Sequence, residues 1–228
     1  MFKKIKLWFN KISYSLIPML VFLLTLLVSF FFNMWFGKHT GTHPFIELDY
    51  MIPTVSQFVY VYYLTFPVLL IMYLYLATVD KKATYNVAVM MIICFAISGF
   101  FYYFLQTEMI KPDYESKGLL SEKLMFSTWA VGYPVNCFPS QHCFMAICMN
   151  IVAFSENKMK TWFRVVLSLV GILVVLSTVF IKQHFVVDFI ASLVIMLPCW
   201  FLVNILRVGD KFVSFNDRLK LRKKMDRH

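Results

Sequence analysis

The chain has 228 residues, of which 60% are hydrophobic and 15% are charged, and its formal net charge is +10. This composition is too apolar for the surface that a water-soluble domain must present, so it predicts a membrane protein. The excess of Lys and Arg is interpreted as a membrane topology signal and a basic tail near anionic lipid headgroups, which argues against nucleic-acid binding.

Six apolar runs have the length, or nearly the length, that a helix needs to cross a bilayer, which is about 20 residues. They cover residues 16–36, 57–79, 84–106, 138–154, 161–181 and 184–206. The fourth run is the shortest and opens with polar residues, which we interpret as the start of a helix at the membrane interface. The predicted fold class is therefore an all-α polytopic membrane protein with a bundle of six transmembrane helices.

The distribution of Lys and Arg predicts the orientation, because cytoplasmic segments carry the excess of these residues. With the N-terminus inside, 17 of the 22 basic residues fall on the cytoplasmic side and five fall in outer loops. Both termini are therefore predicted to be cytoplasmic, in a multi-pass protein of the cell membrane. We divide the chain into an interfacial N-terminal segment (1–15), a membrane catalytic domain (16–207) and a basic cytoplasmic tail (208–228).

His184 and Asp188 form the first candidate catalytic group. They are four residues apart at the outer end of the last apolar run, and on a helix this spacing places both side chains on one face. The carboxylate can then hold one ring nitrogen and leave the other free to act as a nucleophile or base. A buried pair that only satisfies its own hydrogen bonds is the structural alternative.

A second polar cluster, Pro139 to His142, opens the fourth apolar run. Proline fits the first turn of a helix, and the exposed amide groups there, together with Ser140 and Gln141, form an expected phosphate site. His142 is then placed to give a proton to a leaving oxygen. A simple helix cap would explain Ser140 but not His142.

Two lysines complete the predicted site. Lys111 follows the third run and Lys182 precedes His184 by two residues, so both are expected to supply positive charge to a phosphoryl group. Lysines at the rim of a bilayer also commonly anchor to headgroups, which is the alternative for each one. No cluster of Asp, Glu or Cys indicates a metal site, and no cofactor is predicted.

At these motifs the chain resembles the type 2 phosphatidic acid phosphatase superfamily, which is related to the vanadium haloperoxidases. That family shows three outer-face motifs, K-x6-R-P, P-S-G-H and S-R-x5-H-x3-D. The second reads Pro139 to His142 here, and the third runs from Ser177 through His184 to Asp188. The resemblance extends over residues 49–205. It implies that His184 is the nucleophile that forms a phosphohistidine, that Asp188 orients it, and that His142 is the general acid.

The sequence also departs from the family pattern. The first motif is reduced to Lys111 and Pro112, Gln141 replaces the glycine of the second, and Thr178 replaces the phosphate-binding arginine of the third. The inositol phosphorylceramide synthase branch shows a similar thinning, with F-P-S-x-H and H-x3-D motifs. Members of that branch transfer a phosphorylated headgroup to another lipid alcohol.

The expected function is that of a membrane-embedded phosphatase that acts on a lipid phosphate at the outer face. One alternative is a lipid phosphotransferase, because hydrolysis and transfer differ only in whether water or a lipid alcohol attacks the phosphohistidine. A second alternative is a non-catalytic member that binds a lipid phosphate. A transporter is disfavoured, because the polar residues gather at one face instead of at the midplane.

Overall fold

The computed structural model describes residues 7, 11–36, 42, 45–131 and 137–225. In these residues it contains nine α-helices and no β-strand, which confirms the all-α prediction for this part of the chain. The helices are α1 (Leu16–Phe36), α2 (Glu47–Met51), α3 (Phe58–Val79), α4 (Lys81–Phe104), α5 (Leu120–Val131), α6 (Gln141–Ser155), α7 (Thr161–Phe180), α8 (Val186–Ile205) and α9 (Val208–Met225). A short 3₁₀ turn, Ser13–Ser15, precedes α1.

Four of the helices, α3, α4, α7 and α8, are long and apolar enough to cross a membrane. Their outer surfaces expose large apolar side chains such as Ile71, Leu169 and Val194, which suits contact with lipid. Two shorter apolar helices, Ser13–Val28 and Gln141–Ser155, accompany them. The protein is therefore a membrane-embedded helical bundle with four candidate spans, whereas the six-span count and the cytoplasmic termini stay predictions.

Helix α6 lies in the centre of the bundle. All seven consecutive side chains from Cys143 to Met149 are buried, and a helix that is apolar and buried all round must have neighbours on every side. Helices α7 and α8 provide most of its contacts, and α3 and α4 provide the rest. The polar start of α6 is therefore surrounded by the ends of other helices.

A close approach of α7 to α6 occurs at Gly171. A Cβ atom at this position would lie 2.3 Å from Asn150 Nδ2 and 2.9 Å from the Ala146 carbonyl oxygen, so a larger residue would push the helices apart. The Ser168 hydroxyl donates to Asn150 Oδ1 one turn away. This contact fixes the middle of α7 against the second half of α6.

The described part of the long segment between α4 and α6 is folded onto the end of the bundle at which α6 begins. The buried Glu122 carboxylate accepts hydrogen bonds from the Lys117 and Leu119 amides and from the Ser116 hydroxyl. Burial alone would raise the pKa of Glu122, but these hydrogen bonds lower it overall. The Trp129 indole donates to the Ile181 carbonyl at 2.7 Å, so α5 covers the turn between α7 and α8.

The structure describes less of the predicted N-terminal segment than of the predicted basic tail. Most of the N-terminal segment (1–15) lies outside the described residues, and its described end is packed into the bundle, since Ile12 and Ser15 are buried. Most of the predicted basic tail forms α9, which packs on α4 and α8. Residues 226–228 lie outside the described part.

Candidate active site

The two candidate histidines meet at one end of the bundle, which we call the site end. It is formed by the start of α6, the end of α7, the start of α8 and the first turns of α3. The rings of His142 and His184 have their centroids 6.2 Å apart. The backbone amide of Val55, just before α3, donates to the carbonyl of Phe180 at the end of α7, which ties these elements together.

The His184–Asp188 pair forms through the cap of α8. Helix α8 begins at Val186, so His184 lies in the preceding turn, whereas Asp188 is the third residue of the helix. One carboxylate oxygen of Asp188, Oδ2, accepts the Phe185 amide at 3.0 Å and contacts His184 Nδ1 at 3.1 Å. The pairing predicted from the spacing is present, but it is produced by a capping carboxylate and not by two side chains on one helix face.

The surroundings of His184 determine its neutral tautomer. Nδ1 lies 3.0 Å from the Cys137 carbonyl oxygen as well as 3.1 Å from Asp188 Oδ2. Both neighbours are acceptors, so Nδ1 carries the proton and donates it. The lone pair of the neutral ring is then on Nε2, which makes no hydrogen bond within the described residues. His184 is therefore prepared as a nucleophile or base.

His142 is held by aromatic rings instead of hydrogen bonds. The Tyr62 ring stacks on it with centroids 3.9 Å apart and an interplanar angle of 22°, and the Phe66 ring meets it edge-on at 5.5 Å. Its Nε2 is buried without a hydrogen-bond partner in the described structure. Since a buried polar atom normally has a partner, this nitrogen is available to a bound group.

The distance between the rings suits one phosphoryl group placed beside both. An attacking nitrogen needs to be about 3–3.5 Å from phosphorus, and a proton donor needs to be about 3 Å from the leaving oxygen. Both conditions are compatible with centroids 6.2 Å apart when the phosphoryl group lies to one side of the line that joins the rings. The geometry therefore suits a nucleophile and a general acid acting on one group.

Hydrogen bonds hold the start of α6 in place. The Ser140 hydroxyl accepts the Cys143 amide at 3.2 Å as the cap of the helix, and Ser140 is fully buried. The Tyr102 hydroxyl donates to the Pro139 carbonyl, and the Ser192 hydroxyl donates to the Ser140 carbonyl. The helix cap that was the alternative role of Ser140 is therefore present, and the contact of Ser140 and Gln141 with a phosphate stays a prediction. Gln141 is the first residue of α6 and is half-buried.

Lys111 reaches the turn that carries His184. Its ammonium group donates to the Lys182 carbonyl at 2.7 Å and to Gln183 Oε1 at 2.9 Å, and it lies 5.6 Å from the centre of the Trp129 ring. Burial lowers the pKa of Lys111 from 10.5 to about 8, although the nearby Cys137 thiol opposes this shift. Lys111 thus supports the turn from one side, and its contact with a phosphate stays a prediction.

Lys182 supports the same region from the other side. Its ammonium group donates to the carbonyl oxygens of Asp49 and Ile52, at 2.8 and 2.6 Å, and the residue is only 8% exposed. Burial lowers the pKa of Lys182, against the opposing effect of the Asp49 carboxylate. The structure therefore does not bring this ammonium group to a phosphoryl group beside the histidines, because backbone oxygens already engage it.

Thr178 occupies the position where the resembled family carries arginine. It is fully buried, its hydroxyl donates to the Val175 carbonyl at 2.7 Å, and it lies 3.8 Å from the Cys143 sulfur. The backbone carbonyl of Thr178 also accepts the amides of Gln183 and His184. Thr178 therefore holds the turn that carries His184 and presents no charge.

Sequence reasoning missed two residues that shape the site. Asp49 in α2 accepts the Val186 amide at 2.9 Å, so it caps α8 from a segment 137 positions away. Tyr62 covers one face of His142. No local signal identifies either residue, because Tyr62 lies in a run rich in aromatic residues and Asp49 resembles any acidic residue of a surface helix.

Among the described residues, no three His, Cys, Asp or Glu side chains are grouped so that they could hold a metal ion. Comparison with family models, with curated proteins and with solved structures finds no match for the chain. The function is therefore inferred from the geometry of the site and from the motifs that carry the resemblance.

Proposed function

We propose that the protein is a membrane-embedded phosphatase that acts on a lipid phosphate through a phosphohistidine intermediate. The observation that carries the proposal is the hydrogen bonding of His184. Asp188 and the Cys137 carbonyl engage its Nδ1, and the ring of His142 lies close by, with the two ring centroids 6.2 Å apart. A buried pair with a purely structural role would not need a second histidine with an unpartnered nitrogen. The phosphatase motifs that the sequence resembles contain the same three side chains.

The proposed reaction has two steps. In the first, Nε2 of His184 attacks phosphorus, the bond from phosphorus to the lipid oxygen breaks, and His142 gives its proton to that oxygen. In the second, water attacks the phosphohistidine, His142 takes a proton from the water, and the phosphorus–nitrogen bond breaks to release inorganic phosphate. The Asp188 carboxylate stabilises the positive charge on the His184 ring in the intermediate.

The position of the site supports a lipid substrate. The site end is built from the termini of candidate spans, so a phosphoryl group there lies near the bilayer surface while the rest of the molecule stays in the apolar region. The excess of basic residues on the opposite end supports the proposal that the site faces the extracytoplasmic side of the cell membrane.

A lipid phosphotransferase is the second candidate, and the arrangement of cations favours it. Both Lys111 and Lys182 donate to oxygens of the protein, and Thr178 contributes no charge. Loss of one charge-stabilising donor reduces the rate by on the order of a hundredfold or more. A phosphodiester carries one negative charge and needs less compensation than a monoester dianion. In that case a lipid alcohol replaces water in the second step.

The test is to trap the intermediate. Purified protein is incubated with a monoester lipid and a diester lipid, each labelled with radioactive phosphorus, and is quenched quickly. We expect label on His184 that is stable in alkali and labile in acid. Release of free phosphate would identify the phosphatase, and a new labelled lipid would identify the phosphotransferase.

The matched variants are His184→Gln and, as a control, His228→Gln, which is 44 positions away in the sequence. His184→Gln should fold normally, as judged by thermal unfolding, but should lose both the label and the turnover, because its amide cannot form a phosphoimidazole. Absence of label and product with every lipid would leave the non-catalytic lipid-binding alternative. Retention of more than about a tenth of the activity by His184→Gln would exclude the nucleophile assignment.

A further inference from the structure

Helix α9 is attached to the end of the bundle opposite the site. The Gly209 amide donates to Asn86 Oδ1 at 2.8 Å, and a Cβ atom at Gly209 would lie 2.4 Å from the Lys82 carbonyl oxygen. The Phe212 ring stacks on Tyr85 with centroids 5.1 Å apart. These contacts require close approach at Gly209 and fix one face of α9 against the start of α4.

Another face of α9 carries a row of cations. Lys211 and Arg218 are seven residues apart, which places them along one side of the helix, and Arg207 lies directly before its first residue. All three are exposed. Phe212 and Phe215 lie next to this row and are 44% and 59% exposed. We call this surface the cationic stripe.

Acidic neighbours do not neutralise the stripe. Asp210 lies beside it but forms an ion pair with Lys82 on α4. Asp217 is next to Arg218 in the chain and is exposed. Two of the three cations therefore have no adjacent unpaired carboxylate on the described part of α9, and positive charge dominates the surface.

We propose that the cationic stripe binds the phosphate groups of anionic phospholipids at the surface of the bilayer. Helix α8 is a candidate span that ends at Ile205, and α9 begins at Val208, so the stripe starts where the chain leaves the apolar region. Basic side chains beside exposed aromatic rings are the pattern of a helix that lies in the membrane interface. The charge of the stripe and its position next to a span thus select the lipid bilayer as its partner. This proposal is independent of the proposed enzymatic function.

The test measures hydrogen exchange in α9 of the full-length protein, in nanodiscs of phosphatidylcholine alone and in nanodiscs that also contain phosphatidylglycerol. A cation near an anionic surface contributes about a fivefold change in partition. Three such cations together contribute on the order of a hundredfold, so we expect exchange in α9 to be at least about tenfold slower with the anionic lipid. High salt should reduce the difference, because it screens charges at the surface.

The variant R207Q/K211Q/R218Q should lose this protection in the anionic discs. The control K117Q/K123Q/K160Q removes the same charge from exposed lysines elsewhere and should keep it. Wild type and variants are compared within the same discs. The lower pH at an anionic surface, which itself slows exchange, then affects all of them equally. S214E, which puts a negative charge between Lys211 and Arg218 and alters no docking contact, should also lose protection.

Three results would overturn the proposal. The first is equal exchange of the wild type in the two kinds of disc. The second is an equal loss of protection in the stripe variant and the control variant, which would indicate a general charge effect. The third is unchanged protection in S214E and in the stripe variant, which would show that the protection does not depend on the charge of the stripe.

Discussion

Replacement of Lys182 by methionine separates two roles that the residue can have. The substitution keeps most of the apolar stem and removes the ammonium group, which donates to the carbonyl oxygens of Asp49 and Ile52. If these bonds are its role, the loss loosens the segment that also caps α8 through the bond from Val186 to Asp49. If Lys182 binds a phosphoryl group during turnover, the loss acts on the rate.

The size of the first effect follows from the two hydrogen bonds. A bond from a charged donor contributes about 1.5–3 kcal/mol, and the burial that lowers the Lys182 pKa offsets part of the total. We expect the free energy of opening of this segment to fall by about 2–4 kcal/mol. At about 1.4 kcal/mol for each factor of ten, hydrogen exchange in residues 47–55 should become roughly thirtyfold faster or more.

The assay is hydrogen exchange read by mass spectrometry on purified Lys182→Met, with exposed Lys123→Met as the matched control. Turnover measured at a temperature where both variants are folded should stay within about tenfold of wild type, since loss of a true charge-stabilising ligand costs about a hundredfold or more. Unchanged exchange in residues 47–55 combined with a large loss of turnover would refute this reasoning and make Lys182 a phosphate ligand.

Three further predictions concern other parts of the molecule. Asp188→Asn should reduce turnover by on the order of a hundredfold or more in a steady-state assay, because an amide cannot stabilise a charged imidazole as a carboxylate does; near-normal turnover would contradict the orienting role. The stability that depends on the lowered pKa of Lys111 is fully present above about pH 10.5 and is lost as the pH falls through about 8. The free energy of unfolding of the wild type, relative to that of Lys111→Met, should therefore rise between pH 8 and 10.5. A difference that does not change with pH would argue against a buried ammonium group. In intact cells, an impermeant thiol reagent should label a cysteine placed at Lys123 but not one placed at Lys211; the reverse pattern would invert the orientation.

Local rules predicted much of the fold and the contact between His184 and Asp188. The apolar runs predicted the helices to within a few residues at most of their ends, because chain length and hydrophobicity determine where a helix can lie in a bilayer. The Ser140 cap and the His184–Asp188 contact each join residues three or four positions apart. Contacts of this short range can be predicted from a sequence pattern. The spacing predicted the contact between His184 and Asp188 but not its cause, since His184 precedes α8 and Asp188 caps that helix.

The directions of the lysine side chains could not be predicted from the sequence. Both Lys111 and Lys182 have long flexible stems. The ammonium group of Lys111 binds oxygens of the turn before α8, and that of Lys182 binds carbonyl oxygens in α2 and just after it. Asp49 reaches Val186 across 137 positions. Contacts of this kind depend on how whole segments fold over the end of the bundle, so no spacing rule identifies them.

The enclosure of α6 has a consequence for biosynthesis. Helices α7 and α8, which follow α6 in the chain, provide most of the contacts around it, and its side chains from Cys143 to Met149 are buried. While the ribosome is still making those helices, the apolar sides of α6 have no protein neighbours and face lipid or the insertion machinery. His142 consequently gains the histidine it faces only after α7 and the turn that follows it have been made. Assembly of the proposed site is therefore a late event, and a chain released before α8 contains both histidines without Asp188, which is the third residue of α8.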